Sequence, residues 1–256
     1  MEILRNHPCH TQHELEPQNY TQPYTCHGCK QKGFGPRYRC EKCDFDFHQA
    51  CTYTGTDPVY HDYFSGSKFM FLRDPPEPCH PTCKIRCDAC RNYVNGFVFH
   101  CEDNDLDLHP CCWNLKRSYQ MEDVKFNLNK KMKGKCMWCN RKSLKDGGSD
   151  NGWSYVSECK KYHVHVTCVT EMALETWYNN NNGGGGGSSS SGGRGQESLA
   201  LEKKVKELQA VGGYGDDGFG KNKFWRILKF IIKTIVSIVI GDPTMILASF
   251  FINLLP

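Results

Sequence analysis

Thiols and imidazoles recur along the first two-thirds of this chain at intervals suited to gripping a soft divalent cation. His13, Cys26, Cys29, Cys40, Cys43, His48, Cys51 and His61 follow the pattern H-x12-C-x2-C-x10-C-x2-C-x4-H-x2-C-x9-H. Shorter echoes come after it: Cys87-x2-Cys90, Cys101 and His109-x2-Cys112, then Cys136-x2-Cys139 and His165-x2-Cys168. Two sulfurs separated by two residues, joined by a His-Cys pair at the same gap, make up the soft tetrahedral set that zinc prefers. Adjacent pairs can each close a site or they can interleave, and spacing alone leaves both arrangements open.

Disulfides are the competing use for seventeen cysteines in 256 residues. The N-terminal run MEILRNHPCH lacks the apolar segment of a secretory signal, so a reducing intracellular compartment, cytoplasm or nucleus, is expected. The cysteine count is odd and the eleven histidines include several at fixed offsets from cysteine pairs, which favours metal. A hydrophobic fraction of 39% that draws on cysteine and tyrosine does not promise one large oily core. Small modules stapled by metal are expected instead. The formal charge of +4 is spread along the chain and gives no clustered basic patch of the kind that grips nucleic acid.

Elements that could hold these ligands appear around each cluster. KFMFL and KFNL precede the second and third clusters, YVNGFVFHC and GWSYV lie inside them, and their alternation reads as short half-buried strands. A brief helix is expected after each H-x2-C, as in TCVTEMALETW. Alignment on the pairs divides the chain into modules at 7–61, 66–116 and 124–172. An Asn/Gly/Ser tether at 179–195 follows, too polar and too rich in backbone entropy to pack. Residues 196–211 place Leu201, Val205 and Leu208 at helical spacing. The tail, 221–256, begins with Arg226, Lys229 and Lys233 on one face of a basic amphipathic helix. Asp242-Pro243 then opens an apolar helix of about twelve residues, ~18 Å long, too short for a ~30 Å bilayer core. The fold class is therefore three small zinc-stabilised α+β modules in tandem, a flexible linker and a helical apolar tail.

The ligand order resembles the protein kinase C zinc domain that binds phorbol ester and diacylglycerol. It is more similar to that domain's divergent plant relative, the divergent C-one or cysteine/histidine-rich family. The runs CHGCKQKGFGPRYRCEKCDFDFHQAC and RCDACRNYVNGFVFHC…LDLHPCCWNLK carry the likeness, which covers residues 7 to about 172, and the tail KFIIKTIVSIVIGDPT is similar as well. The resemblance implies interleaved sites: Cys26, Cys29, His48 and Cys51 for one ion, His13, Cys40, Cys43 and His61 for another. His61 departs from the kinase domain, which has a cysteine there. His7, Cys9 and His10 are read as bystanders. The second module is expected to close one site with Cys87, Cys90, His109 and Cys112. Asn104 stands at the place of Cys43 and Asp74 at that of His13, so a second site there would need Cys79, His80, Cys83, Cys101 and Cys111; free thiols are the alternative. The third module offers Cys136, Cys139, His165 and Cys168, with Ser157 and Lys160 where Cys40 and Cys43 would be. Four zinc ions are expected, or five with a rearranged site.

Sites closed by four protein ligands are structural, since catalytic zinc keeps an open position. No nucleophile with its base is visible, so no enzyme activity is expected. Diacylglycerol-binding members need a proline before the first C-x2-C and a Gln-Gly pair before the second; Pro23 is present, but Pro36 and Arg37 replace the pair. The resemblance implies a non-enzymatic adaptor or regulator of plant intracellular signalling, of the stress or defence type. Protein partners and a membrane surface, reached through residues 221–256, are its expected contacts. A diacylglycerol-type receptor and a thiol-disulfide redox protein are the alternatives, and nucleic acid is not favoured.

Overall fold

The computed structural model describes residues 3–182 except 79, 81, 122–123, 132–133 and 144–151. The expected helices at 196–211 and 221–256, and the tether beyond 182, lie outside the described residues. Three small antiparallel sheets follow one another along the chain. The first contains β1 (Glu16–Thr25), β2 (Lys32–Cys40) and β3 (Phe45–Phe47) in that order, and ends in a 3-10 turn over Gln49–Thr52. The second is β4 (Val59–Tyr60), β5 (Lys68–Leu72), β6 (Val98–Cys101) and β7 (Leu106–Leu108), followed by the short helix α1 (Pro110–Trp113). The third contains β8 (Ser118–Met121), β9 (Val124–Asn129), β10 (Ser154–Ser157) and β11 (His163–His165), in the order β11-β10-β9-β8, and runs into α2 (Val166–Asn182).

Three boundaries differ from the sequence expectation. β4 pairs with β5, Val59 opposite Phe69 and Tyr60 opposite Lys68, so the chain has already entered the second sheet before residue 61. β8 forms a hairpin with β9, which starts the third sheet at Ser118 rather than 124. α2 also continues through Asn182, past the expected start of the tether at 179. Its N-terminal turns are anchored by buried Val166, Cys168, Val169, Met172 and Ala173. That anchorage allows a helix, once nucleated, to propagate into the asparagine run.

Aromatic rings and thiols do the work that branched aliphatics do in larger domains. Phe34, Phe47, Phe69, Phe126 and Tyr155 are fully buried. The sheets also share their cores. Phe97, which precedes β6, packs among Cys26, Cys29, Phe47 and Cys51 of the first sheet. Phe34 of β2 belongs to the cluster built on the second and third sheets. At the first junction the backbone N–H of Phe97 donates to the Gly28 carbonyl at 3.1 Å. A Cβ on Gly28 would stand 2.6 Å from the Phe97 ring, so only glycine admits this approach. At the second junction the N–H of Trp153 donates to the Ala89 carbonyl at 2.7 Å. Gly28 and Ala89 hold the same place in their C-x2-C loops, so the two junctions share one backbone bond, while the packing around it differs enough for the second to admit the alanine Cβ.

Phe97→Ala removes a ring held between two sheets. It is expected to cost about 3–5 kcal/mol in denaturant unfolding of the zinc-loaded protein, as for other buried aromatic truncations. A loss below ~1 kcal/mol would show that the junction contributes little to stability.

Candidate metal centres

Three C-x2-C segments, one for each sheet, fold into the same tight knuckle. In the first, Lys30 N–H donates to the Cys26 carbonyl at 3.0 Å and Cys26 N–H to the Gln31 carbonyl at 3.0 Å. Arg91 to Cys87 (2.8 Å) and Cys87 to Asn92 (3.0 Å) repeat the pair, as do Asn140 to Cys136 (2.9 Å) and Cys136 to Arg141 (2.9 Å). The residue after the second cysteine is left-handed every time: Lys30, Arg91 and Asn140 have φ of 62°, 63° and 56°. A further bond ties each knuckle to a late strand, through His27 to Asp46, Asp88 to Asp107 and Met137 to His163. That strand delivers the histidine of H-x2-C, and the helical turn after it brings the final cysteine round.

Four Cys/His groups result, each with its donor atoms within 4.8 Å of one another: Cys26–Cys29–His48–Cys51, His10–His13–Cys40–Cys43, Cys87–Cys90–His109–Cys112 and Cys136–Cys139–His165–Cys168. The Nδ1 atoms face sulfur at 3.3 Å (Cys29 to His48), 3.3 Å (Cys43 to His13), 3.4 Å (Cys90 to His109) and 3.4 Å (Cys139 to His165). Longer contacts to Cys51, 3.8 Å, and Cys168, 3.6 Å, complete two of the sets. Tetrahedral zinc with ligand bonds of about 2.3 Å to sulfur and 2.0 Å to nitrogen separates those atoms by about 3.5 Å. The groups therefore have the dimensions of zinc polyhedra. Among the described residues no cysteine is joined in a disulfide.

The electrostatics agree with that chemistry. Burial opposes charge on the His48 ring, yet the sulfurs of Cys111 and Cys26 outweigh it and hold its pKa well above the usual imidazole value. Burial likewise opposes the Cys26 thiolate, but contacts with Cys29, Cys51 and His48 bring its pKa well below normal. Cys87 and His109 repeat the pattern in the second sheet. His165 is pushed up to about 9, again by thiolates acting against burial. One thiol of each buried group is thus favoured as thiolate, while burial pushes Cys29 and Cys51 well up and contacts with Cys87 and Cys90 push Cys112 well up, so a divalent cation must displace the remaining protons as it binds. The other ring nitrogen of His109 lies 3.2 Å from the Tyr93 carbonyl, an orienting contact of the kind that fixes which nitrogen meets the metal.

His61 is corrected: it belongs to no group. Its Nε2 contacts the Trp113 carbonyl at 3.1 Å and its Nδ1 accepts from the Tyr63 N–H at 3.0 Å. The pairing of β4 with β5 has carried it into the second sheet, away from Cys40 and Cys43. His10, read from the sequence as a bystander, takes the vacated role. A small N-terminal turn, with His10 N–H donating to the His7 carbonyl at 2.8 Å, sets its ring against Phe45 at 4.6 Å and beside His13 at 5.9 Å. The H-x2-H spacing of His10 and His13 was the available signal.

Among the described residues there is no fifth group. Cys101 is buried, but its neighbour is an amide: Asn104 Nδ2 lies 3.7 Å from Cys101 Sγ and donates to Ser67 Oγ at 3.1 Å. Hydrogen bonds thus occupy the place that metal takes in the first sheet. Cys83 is exposed and stands outside the groups, while Cys79 lies outside the described residues. Ser157, matching Cys40, accepts from the Tyr162 N–H at 3.0 Å and contacts Cys159 Sγ at 3.3 Å.

With two interleaved groups on one small sheet, comparison with known proteins is decisive for the N-terminal part: residues 8–52 match the family model described as the C1 domain. The matched span contains His10 and ends before His61, in accord with the geometry. A similarity of 44% identity over 45 residues links the chain to probable nucleoredoxin 1 of Arabidopsis thaliana, covering 18% of this chain and 8% of that protein. No solved structure matches.

The groups differ in exposure, which orders their lability. Cys43 is exposed and His13 half-buried, whereas every member of the Cys26 and Cys87 groups is buried. Metal analysis should find four zinc ions per chain, with the His10–Cys43 ion the first to leave under a chromogenic chelator. His10→Ala should speed that first release roughly tenfold or more, and His61→Ala should leave it unchanged. Equal effects of the two substitutions would remove the assignment of His10.

Proposed function

We propose that this chain is a non-enzymatic, zinc-scaffolded adaptor or regulator of plant intracellular signalling, of the stress or defence type. Its modules would present their surfaces to protein partners while the segment 221–256 attaches to a membrane surface. One observation carries the non-enzymatic reading: every group supplies four protein donors, the coordination of a structural zinc with no position left for substrate. We infer also that the second and third sheets are C1-type modules in tandem with the first. The threefold recurrence of the knuckle bonds and the left-handed residue, and the repetition of the junction bond from the first sheet to the second and from the second to the third, support this.

The lipid-receptor alternative is weakened by Arg37, which occupies the place of the glutamine-glycine pair of diacylglycerol-binding members. Its side chain is buried, donates to the Gln22 carbonyl at 2.6 Å, and lies over the Tyr24 ring at 3.9 Å. Asp46 neutralises it at 3.7 Å. A charged, bonded guanidinium thus holds β1 and β2 together where an acylglycerol groove would require them to part. The name of the matched Arabidopsis protein points towards redox chemistry, but the match spans 8% of that protein. The C-x2-C pairs here are committed to metal.

The attraction of the tail to membranes rests on its basic and apolar residues, because no helix among the described residues is long and apolar enough to cross. Flotation with vesicles containing anionic lipid should carry the full chain, and deletion of 221–256 should abolish it. Diacylglycerol-dependent flotation of the truncated chain would instead establish a lipid receptor. Dithiol turnover by metal-free protein would establish the redox alternative.

A further inference from the structure

The helix α1 supplies sulfur in two directions. His109 and Cys112, three residues apart, share the face that meets Cys87 and Cys90. Cys111 lies about 100° round the helix from Cys112. Its side chain leaves the second sheet and enters the first, where α1 packs on the 3-10 turn that carries Cys51. Cys111 is 7% exposed, and its sulfur stands near enough to Cys29, Cys51 and His48 to act on all three. The group Cys26–Cys29–His48–Cys51 closes without it. A fifth soft donor therefore stands beside a group that closes with four.

We propose that Cys111 is a reserve ligand for this ion, which passes to Cys29, His48, Cys51 and Cys111 when Cys26 is lost or displaced. This rests on the reading that the group holds zinc. The exchange is redox-neutral: the zinc–sulfur bond to Cys26 breaks, that to Cys111 forms, and the proton released by Cys111 passes to the departing Cys26 thiolate or to water. Zinc tolerates a fifth ligand in passing, which opens an associative route. The result is an ion shared by two sheets, so that metal bonds as well as aromatic packing join them.

The matching positions show that the extra sulfur is not a general feature of the repeat. Ala50 stands there in the first H-x2-C and Thr167 in the third. Thr167 Oγ1 reaches Asn92 Oδ1, at 3.4 Å, and brings no thiol to the Cys87 group. The Cys87 group is therefore an internal control.

Zinc counted by elemental analysis on the full chain, after equilibration with a mild chelator, tests the idea. Wild type and Cys111→Ala should each hold four ions, and Cys26→Ser should also hold four. Cys26→Ser/Cys111→Ala should hold three, as should Cys87→Ser. Three ions in Cys26→Ser alone, or four in the double variant, would overturn the proposal; a wild-type count lacking this ion would instead defeat the underlying zinc reading. Release kinetics address the case in which Cys26→Ser fails to fold. Both Cys111→Ala and Cys111→Ser should release the most slowly exchanging ion several-fold faster than wild type, and unchanged release in both would also overturn the proposal.

Discussion

Everything in the described part of this molecule depends on sulfur being held next to imidazole at the edge length of a metal polyhedron. A knuckle of two backbone hydrogen bonds and one left-handed residue sets the first two thiols, and a late strand aims a histidine at them. Neither half is stable as an isolated peptide, since a single turn or a three-residue strand cannot repay its conformational entropy. The cation converts two weak local preferences into one closed loop. Strands can therefore be as short as two residues in β4 and three in β3, β7 and β11, and the core can be built from rings and thiols.

The metal also explains why charge is tolerated indoors. His48, His109 and His165 are buried among thiols. Without a cation such clusters would carry a heavy desolvation cost, as buried charges do unless paired or metal-bound. With one, the same burial excludes water and hardens the site. In the second sheet the space matching the exposed group of the first sheet is bridged by Cys101, Asn104 and Ser67 instead. An amide replaces an ion there at the level of a few hydrogen bonds.

The C-x2-C and H-x2-C pairs were legible because their ligand geometry is local: the spacing itself determines the knuckle and the turn. The distant partner was not. Whether His10 or His61 faces Cys40 depends on where the chain goes after Cys51. That is decided by the two-residue pairing of β4 with β5, too short to show as a pattern. The end of α2 was misplaced for a related reason, since polar asparagines after a buried helical face follow their anchor rather than their own propensity. Sharing between sheets was hidden too. Phe97 looks like an ordinary strand residue, and its seat in the neighbouring core appears only once Gly28 is seen to leave room for it.

The bond from Phe97 to Gly28 and that from Trp153 to Ala89 place each unit on its predecessor by the same contact. An ancestral gene segment carrying both the donor and the acceptor of that contact would need no new interface to lengthen the array, because each duplicate arrives already complementary to itself.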